Sequence, residues 1–471
     1  MKSRRIRAAG LRWALVPLGL AAAGTLWAAG PPVCDKEWTA RFLQSYLAAW
    51  IVYVVAAVVV SRAGRMPRWV LLWIVLVAIG MRLVCLARTP PLSTDVWRYL
   101  WDGRVINAGI NPYRYPPQAA RAPSAPEDRK PPADVRTLRA LRDENWRPIN
   151  YKRVPTIYPP LAQMLFAGLA RVRNRDAEAF RWAFTIFDVA SILVLIALLR
   201  RTGRPGERVI WYAWCPLSAT EVTAGAHVDA FGLFLLLFAL LLAARSRARP
   251  GPAGGIALAG AVMAKGYALL ALPFFLKRGG WRFLAAFALA MLMLVAPFAG
   301  ARERMFEGLG TYLGGWETNA SIFVLLDRML QRSVSEHFDL TRNITLAAVA
   351  LVVVVLTWRQ RPGMKWLLGA TFGAIGAQLL LGAPTLPWYA IWVVPALCWW
   401  AIPGLALFSL TVSAQYYARW LYPADEVARE TLLWVGYAPV YALLVGQLIY
   451  LMIARLRRRV RTRRSASSRS P

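Results

Sequence analysis

Cysteine is scarce in this sequence: Cys34, Cys85, Cys215 and Cys398 lie far apart, and no two share a C-x-x-C spacing. That excludes a disulfide framework and leaves no zinc ligand set. No segment repeats another, which weighs against the many transporter folds built from duplicated halves. Acid is scarce too, with 24 Asp and Glu facing 57 Lys and Arg, for a formal net charge of +33. In a soluble protein such an excess would point to nucleic acid. Here the cations are split into short clusters at Arg62 to Arg68, Arg200 to Arg208, Arg245 to Arg249, Lys277 to Arg282 and Arg359 to Lys365, with a last basic run from Arg455 to Arg469. Basic clusters between apolar runs mark cytoplasmic loops, so the expected partners are membrane lipids and not nucleic acid.

What the chain has in plenty is uninterrupted apolar sequence, in runs of about 18 residues or more that suffice to cross roughly 30 Å of hydrocarbon. The first, Leu11 to Gly30, follows a basic start, but it is long and Gly30-Pro31-Pro32 is a poor cleavage site, so it reads as a span and not as a removed signal. Setting the runs against the basic clusters predicts spans at 11–30, 43–61, 69–87, 180–199, 209–225, 228–244, 283–299, 344–358, 366–382, 388–402, 403–417 and 431–454. The stretch 253–277 is too long for one crossing and reads as two short segments broken near Lys265-Gly266. The expected fold class is all-α: a polytopic transmembrane helical bundle of about 12 to 14 spans in one membrane domain, 1–454, with both termini cytoplasmic. Residues 89–179 form its first large outer loop, constrained by eleven prolines between 110 and 160 and closed by a juxtamembrane helix from Ile157 to Val172. Residues 455–471 are low in complexity and read as a disordered cytoplasmic tail.

The most informative stretch, Ser93 to Gly103, follows the third span directly. At about 100° per residue, Asp95, Arg98, Tyr99 and Asp102 share one helical face and Trp97, Leu100 and Trp101 the other, which predicts an amphipathic helix at the membrane surface with its carboxylates toward water. Asp95 is either a base that takes a proton from a hydroxyl or a helix N-cap after Ser93-Thr94. Deeper in the chain, Lys265 is a cation in apolar sequence, facing a lipid phosphate at a helix break or snorkelling. His227 and Asp229, at i and i+2, do not share a helical face and are not a metal pair; they contact a sugar or diphosphate, or cap a helix. Asp188 and Glu221 are intramembrane acids expected to pair with arginines. Glu317 and Asn319 flank a loop where Trp316 offers a face for sugar stacking. Tyr158, Trp388 and Tyr389 fall at predicted interfaces, where aromatic belts are common.

The segments Asp95 through Asn111-Pro112-Tyr113 and Tyr158-Pro159-Pro160-Leu161-Ala162 resemble the first outer loop of GT-C type, polyprenyl-phosphate-sugar-dependent glycosyltransferases, and among them the bacterial multispanning mannosyltransferase-like families. Weaker matches are Gly225-Ala226-His227-Val228-Asp229, Lys265-Gly266-Tyr267, Trp316 to Ser321 and Pro384 to Tyr389, the last with Leu386 where a polar residue, often histidine, is expected before Pro-Trp-Tyr. The resemblance implies that Asp95 is the general base and Asp102 a second acid that orients the acceptor or a metal. It also implies that Arg98, Tyr99, Tyr113, Arg153, Tyr158, His227, Asp229, Lys265, Glu317, Asn319, Trp388 and Tyr389 bind substrate, with Arg98, Arg153 and Lys265 stabilising a departing phosphate. The implied protein is a bacterial inner-membrane enzyme with an extracytoplasmic site. It moves a hexose, mannose, from a polyprenyl-phosphate donor to a lipid or glycan acceptor. No cofactor is expected and a divalent cation is not required by these residues, because basic side chains can neutralise a lipid monophosphate leaving group. The rival class is a lipid-linked sugar flippase or other polytopic transporter, disfavoured by the missing repeat and by acids gathered in one loop.

Overall fold

The structure, a computed structural model, describes residues 12–28, 35–63, 66–89, 92–121, 131–421 and 425–467. Cys34, the 30–32 cleavage-site reading and the last residues of the tail lie outside them. Among the described residues the chain is helical with no strand, and the other three cysteines are free and buried.

The bundle begins with α1 (Leu15–Trp27), α2 (Lys36–Arg62) and α3 (Arg68–Arg88). The loop helix α4 (Asp95–Asn107) and the juxtamembrane helix α5 (Pro160–Val172) follow, then α6 (Glu178–Arg201), α7 (Asp229–Arg245), α8 (Pro252–Ala264), α9 (Leu272–Val295), α10 (Ile322–Gln331), α11 (His337–Trp358), α12 (Met364–Leu381), α13 (Pro403–Thr411) and α14 (Glu426–Ser467). Seven stretches among the described residues are long and apolar enough to cross a membrane, and four shorter apolar helices accompany them. The polytopic all-α bundle is the one expected; the count of full-length crossings is smaller.

The difference has a local cause. Residues 209–225, read as one span, are broken into the short turns Ile210–Ala213, Pro216–Ala219 and Thr220–Ala224, the last a π-helix. Pro216 has no N–H to donate and holds Cys215 extended, so a continuous helix cannot pass. Such irregular backbone is tolerated at membrane depth only inside protein, and every residue from Val209 to Leu233 is buried. The 388–402 span is likewise two 3₁₀ turns, Pro387–Trp392 and Val394–Cys398, and the 403–417 span contracts to the nine-residue α13. In contrast, the break near Lys265 is present: α8 stops at Ala264, Lys265 is extended, and a 3₁₀ turn, Gly266–Ala271, leads into α9, itself broken at Gly280 with φ of 66°. The basic tail also departs from expectation, since α14 continues as helix to Ser467.

The charged core explains how the broken segment is held. Arg82 of α3 and Asp188 of α6 are fully buried and paired at 2.5 Å. Arg82 also donates to the carbonyls of Ala78 and Ala213, at 3.0 and 2.6 Å, and to Ser218, while Tyr212 donates to Asp188. Asp188 therefore has the arginine partner predicted for it, and the pair ties the 209–225 segment to two helices.

Candidate active site

Helix α4 starts at Asp95, whose backbone N–H is accepted by Ser93 Oγ at 3.2 Å, and ends before Gly109, where φ of 78° suits glycine. It does not lie on a surface as an amphipathic helix. Arg98, Tyr99, Leu100, Trp101 and Asp102 are all buried, because α4 packs along α5 so closely that a Cβ on Gly103 would stand 2.3 Å from the Phe166 carbonyl oxygen. One face of that helix is therefore filled by α5 and not by water.

Asp95 remains at the edge of this packing, its side chain 15% exposed. Its carboxylate does not cap the helix. Asn150 Nδ2 donates to Oδ1 at 2.8 Å, and His227 Nδ1 stands 3.8 Å from Oδ2. Burial pushes the Asp95 carboxyl above the usual range, while the Asn150 hydrogen bond and the Lys265 charge pull it back. Asp95 opens on a small pocket of about 150 Å³ that also takes in Arg98, Asn150, Tyr151, Tyr158, Trp316, Trp388 and Tyr389. Tyr151 sits at its mouth, 54% exposed, with a strained φ of 43° and its ring 3.8 Å from that of Trp316. The loops of 316–321 and 383–389 are joined there, with Thr385 N donating to Thr318 O at 2.8 Å and Asn319 Nδ2 to Thr385 O at 3.0 Å.

The other predicted residues divide. Trp388 and Tyr389 line the pocket, and Trp388 stacks on His227 with ring centroids 3.8 Å apart. An imidazole thus lies against Trp388 although position 386 is leucine. Tyr158 forms pocket wall, and Lys265 lies over the Tyr158 and Tyr389 rings at 5.5 and 5.0 Å. Lys265 is not a free cation, since Asp229 holds it at 3.2 Å and is itself held by Trp392 Nε1 at 2.8 Å. Asp102 does not reach the pocket: it takes Arg98 Nε at 2.9 Å and Gln163 Nε2 at 3.1 Å, so it positions Arg98. Arg98 in turn donates to Val154 O at 3.1 Å and keeps Nη2 buried and unpartnered beside the pocket. Tyr99 is core, stacked on Phe166 at 4.5 Å, and Tyr113 is a tie, donating to the Tyr158 carbonyl at 2.7 Å. Arg153 is exposed and away from the pocket lining.

Glu317 and Asn319 belong to a second, larger cavity of about 790 Å³, which shares Tyr151 and Thr318 with the first and is rich in charge from Asp327, Arg328, Arg419 and Glu430. Burial also raises the Glu317 carboxyl. Glu221 has no arginine; it accepts from Tyr416 OH at 2.6 Å and faces His227 Nε2 at 3.6 Å. Sequence reasoning missed Asn150, Tyr151 and Tyr416, which carry no motif; the one signal for the first two is an Asn-Tyr pair inside an otherwise basic, proline-rich loop, and Tyr416 has none.

A family model described as MptA_B family, Alpha-(1->6)-mannopyranosyltransferase, N-terminal domain, matches residues 13–278. The chain is 24% identical over 368 residues to a protein of Mycolicibacterium smegmatis named Probable alpha-(1->6)-mannopyranosyltransferase, an overlap of 67% of this chain and 63% of the relative. It is 25% identical over 338 residues to Alpha-(1->6)-mannopyranosyltransferase A of Mycobacterium tuberculosis, with 65% and 61% covered. The chain thus spans about three fifths of the length of these curated relatives. No solved structure matches it.

Proposed function

Because this chain belongs to the MptA_B family of alpha-(1->6)-mannopyranosyltransferases, we propose that it is a membrane glycosyltransferase that moves a mannosyl residue to a lipid or glycan acceptor. The donor in this reading is a polyprenyl-phosphate sugar, used on the extracytoplasmic side, because nucleotide sugars are confined to the cytosol. The observation that carries the reading is Asp95: among the described residues it is the one carboxylate lining a pocket whose walls include Tyr151, Tyr158, Trp316, Trp388 and Tyr389. Aromatic faces suit the apolar faces of a sugar ring. A single carboxylate suits one displacement, in which the acceptor oxygen attacks C1 as Asp95 takes its proton and the configuration inverts. Arg98, paired with Asp102 through Nε, keeps Nη2 without a hydrogen-bond partner and lines the pocket, so that this nitrogen is the one left to meet the departing phosphate. Lys265, neutralised by Asp229, contributes through the rings it lies over.

Purified protein in proteoliposomes is expected to form a new glycosidic bond from polyprenyl-phosphate mannose and to do so undiminished in chelator, the leaving phosphate being met by arginine. Movement of the lipid-linked sugar without product would favour the flippase. Chelator loss restored by magnesium or manganese would overturn the metal-free reading.

Asp95 acts ionised, so activity is lost as pH falls through its pKa. Burial places that loss above the pH of an ordinary aspartate, about 3.9. Asn150→Ala removes a hydrogen bond to the charged form and is expected to move the acid limb of kcat/KM further up in pH. A limb unmoved by the substitution would show that another group titrates.

A further inference from the structure

His227 is fully buried, neither ring nitrogen has a hydrogen-bond partner, and yet a carboxylate stands near each: Asp95 Oδ2 at 3.8 Å from Nδ1 and Glu221 Oε2 at 3.6 Å from Nε2. Several irregular features converge to put the ring there. The π-turn Thr220–Ala224 turns Glu221 inward, and π-bulges recur at functional sites. Ala226 adopts φ of 53°, a conformation that costs an alanine energy. At Gly225 a Cβ would stand 2.7 Å from both the imidazole Cδ2 and the Glu221 carbonyl oxygen, so only glycine leaves room for the ring. Trp388 then clamps the imidazole from its face. An arrangement this constrained around an unpartnered imidazole is built for something other than packing.

We propose that Asp95, His227 and Glu221 form a proton store, in which the proton taken from the acceptor hydroxyl is passed through the imidazole to Glu221 while the glycosidic bond forms. This rests on Asp95 being the base. As the acceptor oxygen bonds to C1, the bond from C1 to the phosphate oxygen breaks and its electron pair leaves with the phosphate; the hydroxyl proton goes to Asp95. Asp95 gives a proton to His227 Nδ1, and His227 gives its Nε2 proton to Glu221, so Asp95 is ionised again, the imidazole is neutral and Glu221 carries the proton. Nothing is oxidised or reduced. When product leaves, the same steps run backward and Asp95 releases the proton to water entering the pocket.

The groups that face the imidazole agree with this. Burial of the ring and, after it, the charge of Lys265, itself paired with Asp229, disfavour a lasting imidazolium and let the ring pass the proton on. Tyr416, donating to Glu221 at 2.6 Å, fixes the carboxyl that receives it, and the other Glu221 oxygen is buried without a partner. The gain is that Asp95 does not remain a protonated acid beside the new glycosidic oxygen, where it would favour the reverse reaction.

The test is turnover of the full-length protein in proteoliposomes for His227→Gln, Glu221→Gln and the double variant, with proton inventories in mixed H2O and D2O. Each single variant is expected to lose roughly ten- to a hundredfold in kcat with KM little changed. The double variant should lose no more than the worse single one, because the residues act as a unit. The inventory, curved in the parent because several protons move, should become linear in Glu221→Gln. Glu221→Gln preserves size and the Tyr416 hydrogen bond, and it decides the matter if His227→Gln fails to fold. Parent-level kcat in a folded variant, an effect confined to KM, or an inventory that stays curved would overturn the store. If Asp95→Asn also retained activity, the assignment of the base would have failed first.

Discussion

Asp95→Asn is expected to lower turnover by about 100-fold or more while the protein stays folded and still binds donor. Asparagine matches aspartate in size, can accept the Asn150 hydrogen bond at Oδ1, and leaves the backbone bond to Ser93 untouched. What it lacks is basicity. Removing a half-buried charge also relieves desolvation, so stability should not fall. The measurement is kcat for mannosyl transfer alongside a gel-filtration profile and donor affinity. Unchanged transfer by a folded Asp95→Asn protein would refute the assignment, and a loss accompanied by aggregation would need the isosteric control repeated under milder extraction before Asp95 could be called the base.

Arg82→Ala or Asp188→Ala is expected to be the most damaging change to the fold. Either substitution strands a fully buried charge among apolar helices, which costs about 3–5 kcal/mol, a large part of the roughly 5–15 kcal/mol that holds a typical protein folded. The damage should spread to the active site, because Arg82 holds the Ala213 carbonyl and Ser218, and the chain from there runs through the π-turn to His227. Thermal unfolding in detergent should drop by many degrees for each single variant, whereas Arg82→Met with Asp188→Leu, which removes both charges, should recover much of the loss. Equal unfolding temperatures for parent and single variants would show that the pair carries no stability.

The particular residues show where sequence reasoning reached and where it stopped. Local signals were sufficient for α2, α3 and α6, whose apolar runs have the length to cross a bilayer, and for the break at Lys265, where a cation and a glycine interrupt such a run. They placed Asp95 at the start of a loop helix as well. They failed for 209–225 because hydropathy measures apolar content and is blind to Pro216 and a π-turn inside it. They failed for Asp102 because helical periodicity states which residues share a face but not what that face meets; here it meets Gln163 and α5.

By itself, then, the order of residues determined an all-helical membrane bundle, its basic loops and an acid at the head of its first large loop, because length, hydropathy and charge act on neighbours along the chain. Only the packing of distant segments decided that Asp95 meets Asn150 and His227, that Asp102 serves Arg98, and that Lys265 is neutralised by Asp229. Those meetings depend on how helices far apart in sequence fill the same space, and no local pattern contains that information.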